Sequence, residues 1–126
     1  MIIGIGIDSV EICRFAQWHT YSDTQLSRIF SEEEIIYCRS NLAKSAERFA
    51  VRFAAREAFF KAYSTAMPNH TVPFLSVCKA VSMIKNHNGR PELIINSTIA
   101  MPKSIAWISC THTKTIATAV VVLEKK

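Results

Sequence analysis

The chain has 126 residues, a length that suits one domain with one hydrophobic core and leaves little room for a second. Hydrophobic residues make up 49% and charged residues 20% of the sequence, and no Pro-, Ser- or Gln-rich run or internal repeat is present, which argues against disorder. The net charge of +5 indicates an anionic partner, although charge alone does not choose between nucleic acid, a phosphorylated small molecule and an acidic protein.

The N-terminal segment, residues 2–12, alternates Ile with Gly and then continues into Ile7-Asp8-Ser9-Val10-Glu11-Ile12, which predicts a strand. Gly4 and Gly6 would let another element pack against its backbone. The segment has no basic n-region and reaches Asp8 too early for a signal peptide or a membrane span, so we expect a cytosolic protein. Asp8 fits either a turn former or helix cap at the end of the strand, or a metal ligand on a rigid strand.

The four cysteines are scattered without CxxC spacing, which disfavours a zinc site, and a cytosolic location disfavours disulfides. We therefore expect four buried or half-buried thiols, at Cys13, Cys38, Cys78 and Cys110.

Residues 12–29 carry apolar side chains at roughly helical intervals, broken by a polar cluster, and predict two short helices. Arg14 and Arg28 in this region are either solvated charges or part of a basic docking surface. Ser31 and Glu34 then form a capping box at the start of a further helix, which gives the glutamates here a structural role.

The strongest helix signal covers residues 45–64, where the core of the segment has no Gly or Pro and contains five alanines. Glu57 and Lys61 stand one helical turn apart. They form either an exposed ion pair or a carboxylate and an ammonium that hold a metal and a phosphate. Pro68 and Pro73 bound the loop that follows.

Beyond this loop the pattern changes to strands, predicted at residues 77–84, 92–95, 105–110 and 115–123. The residues from Asn88 to Pro91 predict a hairpin turn, which is either geometry alone or a site for a phosphate or nucleotide base. His112, surrounded by hydroxyl residues, is either simply exposed or binds an anion or moves a proton. The resulting prediction is one α+β domain over residues 1–126, with an N-terminal strand, one long central helix and a mainly antiparallel sheet.

The order of these motifs is more specific than any one of them. The chain resembles the holo-acyl-carrier-protein synthases, which are 4′-phosphopantetheinyl transferases, over nearly its whole length. The resemblance is carried by Gly6-Ile7-Asp8-Ser9-Val10-Glu11, Phe53-Ala54-Ala55-Arg56-Glu57-Ala58-Phe59-Phe60-Lys61-Ala62, Asn88-Gly89-Arg90-Pro91, Ser109-Cys110-Thr111-His112 and Ala117-Thr118-Ala119.

The resemblance implies transfer of 4′-phosphopantetheine from coenzyme A to a serine of apo-acyl carrier protein, for fatty acid biosynthesis, with 3′,5′-ADP as the second product. Asp8 and Glu57 would bind Mg²⁺, which commonly takes one or two carboxylates together with substrate phosphates. Metal and Lys61 would offset charge on the phosphate oxygens, and Glu57 would accept the serine proton, directly or through water.

The same resemblance implies that Arg52, His112 and residues 88–91 hold the adenosine and its 3′-phosphate. Arg14, with Arg28 as a weaker candidate, would meet the acidic carrier protein. The family also implies a cyclic homotrimer with active sites between neighbours, in which His112 reaches in from the next subunit.

Three departures from the family pattern stand in the sequence. Arg56 replaces the usual Lys before the Glu, the loop at residues 63–68 lacks the usual glycines, and Thr113 replaces the usual acid after the His. An inactive or structural trimeric homologue is therefore one alternative. A basic nucleic-acid-binding module is another, disfavoured because the strands carry mainly aliphatic residues. The sequence names neither the carrier protein nor whether acyl-coenzyme A is accepted.

Overall fold

A 25-residue helix packs across one face of a three-stranded antiparallel sheet in the computed structural model, which describes all 126 residues. The sheet has the strand order β1-β5-β4, and β2 pairs with β3 in a separate antiparallel hairpin. The strands are β1 (Ile2–Glu11), β2 (Val81–Lys85), β3 (Pro91–Ile95), β4 (Ser104–His112) and β5 (Ile116–Lys125). The helices are α1 (Asp23–Leu26), α2 (Glu32–Arg39), α3 (Leu42–Ala66) and α4 (Phe74–Ala80), and two 3₁₀ turns cover Ile12–Phe15 and Trp18–Thr20. The predicted α+β class with an N-terminal strand, a long central helix and antiparallel strands is confirmed.

The contact between β1 and α3 is a backbone-to-backbone approach. A Cβ atom at Gly4 would lie 2.1 Å from the carbonyl oxygen of Ala62, and one at Gly6 would lie 1.9 Å from that of Ala58. The glycines of the strand and the alanines of the helix thus remove every side chain that would hold the two backbones apart. The predicted close approach at these glycines is confirmed.

The sheet buries one face against α3 and leaves an apolar surface on the other. Along β5, alternate residues from Ala117 to Leu123 are buried, as the period of two requires. The opposite face includes Ile5 (57% exposed), Ile7 (60%) and Trp107 (56%), with Val120 and Val122 half-buried between them. We call these five residues the outer apolar face.

The helix boundaries follow from identifiable caps. Asn41 accepts a hydrogen bond from the backbone of Ala43 at 3.1 Å, so α3 begins three residues before the predicted start. Ser31 and Glu34 form the predicted capping box of α2. Helix α3 ends at Ala66, so it includes part of residues 63–68, the segment that lacks the glycines usual in the family. The loop up to Pro73 follows.

One sequence prediction in this part of the chain is wrong. Residues 77–80 end helix α4 instead of starting a strand, because Pro73 begins a helical turn and its carbonyl accepts bonds from Ser76 and Val77. The strand starts at Val81, and the predicted turn from Asn88 to Pro91 does join β2 to β3.

The cysteines are free, and the prediction of four buried or half-buried thiols fails at Cys13, which is exposed. The short 3₁₀ turn that carries Cys13 sends only Phe15 into the core. Burial raises the pKa of Cys38 and of Cys78 to about 12, so both remain thiols at neutral pH. No helix combines the length and the apolar character needed to cross a membrane, and the cytosolic location stays a prediction.

Candidate active site

The contact between β1 and α3 brings Asp8, Glu57 and Lys61 together. Asp8 lies within β1, opposite Ala119, and is therefore neither a turn former nor a helix cap. The ammonium of Lys61 donates to the Asp8 carboxylate at 3.1 Å and to the Ile7 carbonyl at 2.9 Å. Lys61 makes no salt bridge with Glu57, because Asp8 on the neighbouring strand competes for it. The sequence offered an ion pair between Glu57 and Lys61 as one alternative. The structure instead has an ion pair between Lys61 of the helix and Asp8 of the strand.

The ionised form of the Glu57 carboxylate is disfavoured in this position. Partial burial raises its pKa above the ordinary value, the nearby Asp8 carboxylate raises it further, and Lys61 and Arg14 oppose the change. Two carboxylates that repel each other beside one ammonium form a site that a small divalent cation would relieve. Mg²⁺ is a cation of this kind, since it commonly binds one or two carboxylates and completes its octahedron with water and phosphate oxygens. We call Asp8, Glu57 and Lys61 the acidic half-site.

Arg14 lies next to the acidic half-site, and Arg28 does not join it. The Arg14 guanidinium stands 5.8 Å from the Phe53 ring centroid, and its charge acts on Glu57. Arg28 is exposed and its side chain makes neither a hydrogen bond nor a salt bridge. Of the two candidate docking residues, only Arg14 is therefore placed beside the residues of the acidic half-site.

A basic pocket of about 470 Å³ lies between α2, α3, the β2–β3 hairpin and the end of β4. We call it the basic pocket, and its lining includes four of the predicted nucleotide-binding residues, Arg52, Gly89, Pro91 and His112. Arg90 lines a different groove, against β4, and Asn88 is exposed in the turn. The hairpin is shaped by Asn86, whose carboxamide oxygen accepts bonds from the backbones of Asn88 and Arg90. Gly89 has a φ of 76°, which an amino acid with a side chain adopts less readily.

His112 has an acidic partner despite the lost acid at position 113. Its Nδ1 lies 3.3 Å from the Glu47 carboxylate of α3 and 3.3 Å from the Thr113 carbonyl. A ring nitrogen held in this way fixes the orientation of the imidazole. The sequence departure at Thr113 is thus offset by a residue from a distant part of the chain.

Sequence reasoning missed several charged residues that line the basic pocket: Lys44, Glu47, Arg48 and Lys85. A signal for two of them is present, because Lys44, Arg48, Arg52 and Arg56 recur at intervals of four. Four residues turn an α-helix by about 40° beyond one full turn, so such a row winds slowly around the helix. Lys44 is accordingly exposed, Arg48 is half-buried, and Arg52 and Arg56 are buried.

Arg56, the replacement for the usual Lys, points away from the acidic half-site into the core. It is 0% exposed, and its guanidinium donates to both oxygens of Glu34, at 2.5 and 2.8 Å, and to the carbonyls of Cys78 and Val81. The residue ties α3 to α2 and to the junction of α4 with β2. Its role in this chain is to join elements.

The acidic half-site and the basic pocket lie on different sides of α3. Nine residues separate Arg52 from Lys61, which is about two and a half helical turns, so the two side chains leave the helix in opposite directions. Glu47, the partner of His112, stands ten residues before Glu57, about 15 Å along the helix axis. Within one chain, the acidic half-site and the basic pocket therefore face different parts of the surroundings.

Comparison with known proteins identifies the family. A model of the 4′-phosphopantetheinyl transferase superfamily matches residues 4–121. The chain belongs to this superfamily. Within it, the chain is 38% identical over 129 residues to the holo-[acyl-carrier-protein] synthase of Treponema pallidum, covering 98% of this chain and 97% of the relative.

Solved structures of the superfamily share the fold. A holo-(acyl-carrier-protein) synthase from Bacillus anthracis in complex with CoA (3′,5′-ADP) is 31% identical, with a TM-score of 0.76 over 100% of this chain and 99% of that chain. The complex of the Chronobacterium ammoniagenes synthase with CoA is 25% identical, with a TM-score of 0.81 over 98% and 97% of the two chains. In both comparisons the match covers at least 97% of each chain.

Proposed function

We propose that this phosphopantetheinyl transferase is a holo-[acyl-carrier-protein] synthase. It transfers 4′-phosphopantetheine from coenzyme A to a serine of apo-acyl carrier protein and releases 3′,5′-ADP, a modification that serves fatty acid biosynthesis. The observation that carries the proposal is the presence in one superfamily chain of both a two-carboxylate half-site and a basic pocket. The names of the Treponema pallidum and Bacillus anthracis relatives support the same activity.

In this proposal Asp8 and Glu57 hold Mg²⁺, which supplies positive charge to the pyrophosphate of coenzyme A. The ammonium of Lys61, fixed by Asp8 and by the Ile7 carbonyl, would face the same phosphate oxygens and offset the charge that develops on them. The serine oxygen forms a bond to the phosphorus bearing pantetheine as the bond to the 3′,5′-ADP oxygen breaks. Glu57 would receive the serine proton, directly or through a metal-bound water.

The basic pocket receives the other end of coenzyme A. Arg52 and His112 would contact the 3′-phosphate, while the turn at residues 88–91 would contact the adenosine. Arg14, placed beside Glu57, is suited to dock an acidic carrier protein next to the reacting phosphate, with Arg28 as a more distant contact.

The two groups of residues would meet in a homotrimer. Because they project from opposite sides of α3, the acidic half-site of one subunit would face the basic pocket of the next in a closed ring. The outer apolar face supports assembly, since a contiguous apolar surface of this kind commonly marks a protein–protein contact.

The decisive experiment measures transfer to purified apo-acyl carrier protein with coenzyme A and Mg²⁺, by the mass increase of the carrier. Asp8→Ala and Glu57→Ala should each lower kcat/KM roughly 100-fold or more and keep the native circular dichroism spectrum. Glu33→Ala, which removes an exposed carboxylate from α2, should retain wild-type activity. Wild-type activity of either ligand variant would refute the metal assignment, and an inactive wild-type protein that binds coenzyme A would indicate the inactive homologue.

A further inference from the structure

Tyr37 on α2 is surrounded by three cations from two other elements. The guanidinium carbons of Arg48 and Arg52 on α3 lie 4.0 and 4.6 Å from the centre of its ring, and the Lys85 ammonium at the end of β2 lies 4.9 Å from it. Lys85 also donates a hydrogen bond to the Tyr37 hydroxyl at 2.7 Å. One aromatic side chain thus contacts cations from two distant segments of the chain that line the same pocket.

Further bonds fix this cluster in place. Arg48 donates to the Tyr37 carbonyl at 2.8 Å and to the Ser40 hydroxyl at 3.0 Å. The hydrogen bond from Lys85 lowers the pKa of Tyr37, with the charges of Lys85, Arg48 and Arg52 acting in the same direction against burial. The charged groups that act on the Tyr37 hydroxyl are therefore all cations.

Arg52 has donor capacity that the protein does not use. Its side chain is 5% exposed, and its Nε has no hydrogen-bond partner, the nearest carboxylate oxygen being that of Glu34 at 4.0 Å. A buried donor without an acceptor is costly, and so are several cations held close together. The electrostatic cost of holding these cations together falls when an anion with several acceptor oxygens enters the basic pocket.

We infer that Tyr37 is a positioning residue that holds Arg48, Arg52 and Lys85 as a preformed receptor for a doubly charged phosphate monoester. Resting on the proposed function, the inference is that Tyr37 gives the enzyme a preference for coenzyme A over 3′-dephospho-coenzyme A. The ring holds the guanidinium groups, and the hydroxyl holds the ammonium of Lys85, whose flexible side chain is otherwise exposed. The hydroxyl and the ring therefore make separable contributions.

Kinetics with the two substrates test this assignment. Tyr37→Phe keeps the ring and releases Lys85, so KM for coenzyme A should rise roughly three- to tenfold while KM for 3′-dephospho-coenzyme A stays constant. Tyr37→Leu should raise the coenzyme A KM further and again spare the dephosphorylated substrate. Tyr21→Phe is the matched control, since it removes an exposed hydroxyl that makes no hydrogen bond, and should behave as wild type. Equal changes in both KM values, or a fall in kcat alone, would overturn the inference.

Calorimetric binding of 3′,5′-ADP and 5′-AMP separates this inference from the proposed activity. Wild-type protein should bind 3′,5′-ADP more tightly than 5′-AMP, and Tyr37→Phe should narrow that gap. If the gap narrows in a protein that transfers nothing, the receptor stands and the proposed function falls. If the wild type transfers phosphopantetheine but Tyr37→Phe keeps the full gap, or if the wild type has no gap, the positioning role falls.

Discussion

At the scale of single residues, the effect of each charged side chain on the stability of this phosphopantetheinyl transferase depends on the groups that it contacts. Arg56 is fully buried, yet its guanidinium finds the Glu34 carboxylate and two backbone carbonyls. Removing one partner of such a buried pair typically costs about 3–5 kcal/mol, because the other charge is left uncompensated. Arginine suits this position, since its planar fork reaches both carboxylate oxygens and two carbonyls at once.

Glu57 is in the opposite situation, and its substitution by glutamine should stabilise the metal-free protein at neutral pH. Burial and the Asp8 charge raise its pKa in the folded state. A raised pKa contributes stability below the unfolded value and loses it as pH rises through the folded value, so the ionised carboxylate destabilises the fold at pH 7. Because the group is only half-buried, Glu57→Gln should raise Tm only slightly, by roughly 1–2 °C at pH 7, and the gain should vanish toward pH 4.

Thermal denaturation of metal-free wild type and variant between pH 4 and pH 8 measures this difference. Glu33→Gln provides a control of opposite sign, because the N-terminus of α2 favours the exposed carboxylate that it removes. Added Mg²⁺ should raise the Tm of the wild type and not that of Glu57→Gln. A variant less stable than the wild type at pH 7 would contradict the unfavourable environment of this carboxylate.

At the scale of elements, the acidic half-site depends on how closely β1 approaches α3. Asp8 on the strand meets Lys61 on the helix only because glycines and alanines bring the two backbones together. The carbonyl of Ile7 then fixes the ammonium from the other side. The packing of two elements thus sets the geometry of the charged groups.

Gly6→Ala should therefore affect both stability and metal use. Its new Cβ would meet the Ala58 carbonyl at 1.9 Å, so the backbones must separate, at a cost of about 1–3 kcal/mol or more. The shift would also move Asp8 away from α3 and raise the Mg²⁺ concentration needed for half-maximal activity. Urea denaturation and an Mg²⁺ titration of the transfer rate measure the two effects.

Gly89→Ala is the matched comparison for this change. Its Cβ would meet nothing within 4 Å, although the φ of 76° makes the substitution mildly unfavourable. The variant should lose less stability than Gly6→Ala and keep the wild-type Mg²⁺ requirement. An unchanged urea midpoint and Mg²⁺ requirement for Gly6→Ala would show that α3 yields easily at this contact.

At the scale of the whole molecule, both the outer apolar face and the placement of the two groups of site residues on opposite sides of α3 lead us to expect assembly into a ring of subunits. A sheet covered by helices on one face only leaves its other face to solvent or to a partner, and this face carries Ile5, Ile7 and Trp107. A heterologous ring would place the same pair of half-sites at every junction between subunits. Activity would then belong to the junction and not to the single chain.

Subunit mixing tests this expectation. Glu57→Ala and His112→Ala subunits, each nearly inactive, should regain activity after joint unfolding and refolding, because some junctions combine an intact acidic half-site with an intact His112. With random one-to-one mixing, about a quarter of the junctions are intact, so the rate should approach a quarter of the wild-type rate. Refolding each variant alone provides the control. No recovery despite demonstrated subunit exchange would place the whole site within one chain.

The sequence by itself determined the features that are periodic within one element. The alternation in β1, the alanine-rich α3 and the capping box at Ser31 were all readable, because side-chain spacing along one strand or helix fixes which residues share a face. Gly4 and Gly6 also predicted a close approach, since a missing side chain has few other uses in a strand.

Only the tertiary structure decided which charges meet. Lys61 pairs with Asp8, 53 residues away, and not with its helical neighbour Glu57. Arg56 pairs with Glu34 in the core. His112 contacts Glu47, and Tyr37 contacts cations that belong to other elements. Such pairings depend on the packing of elements that are distant in the chain, and a local pattern carries no record of that packing because the same spacing fits several partners.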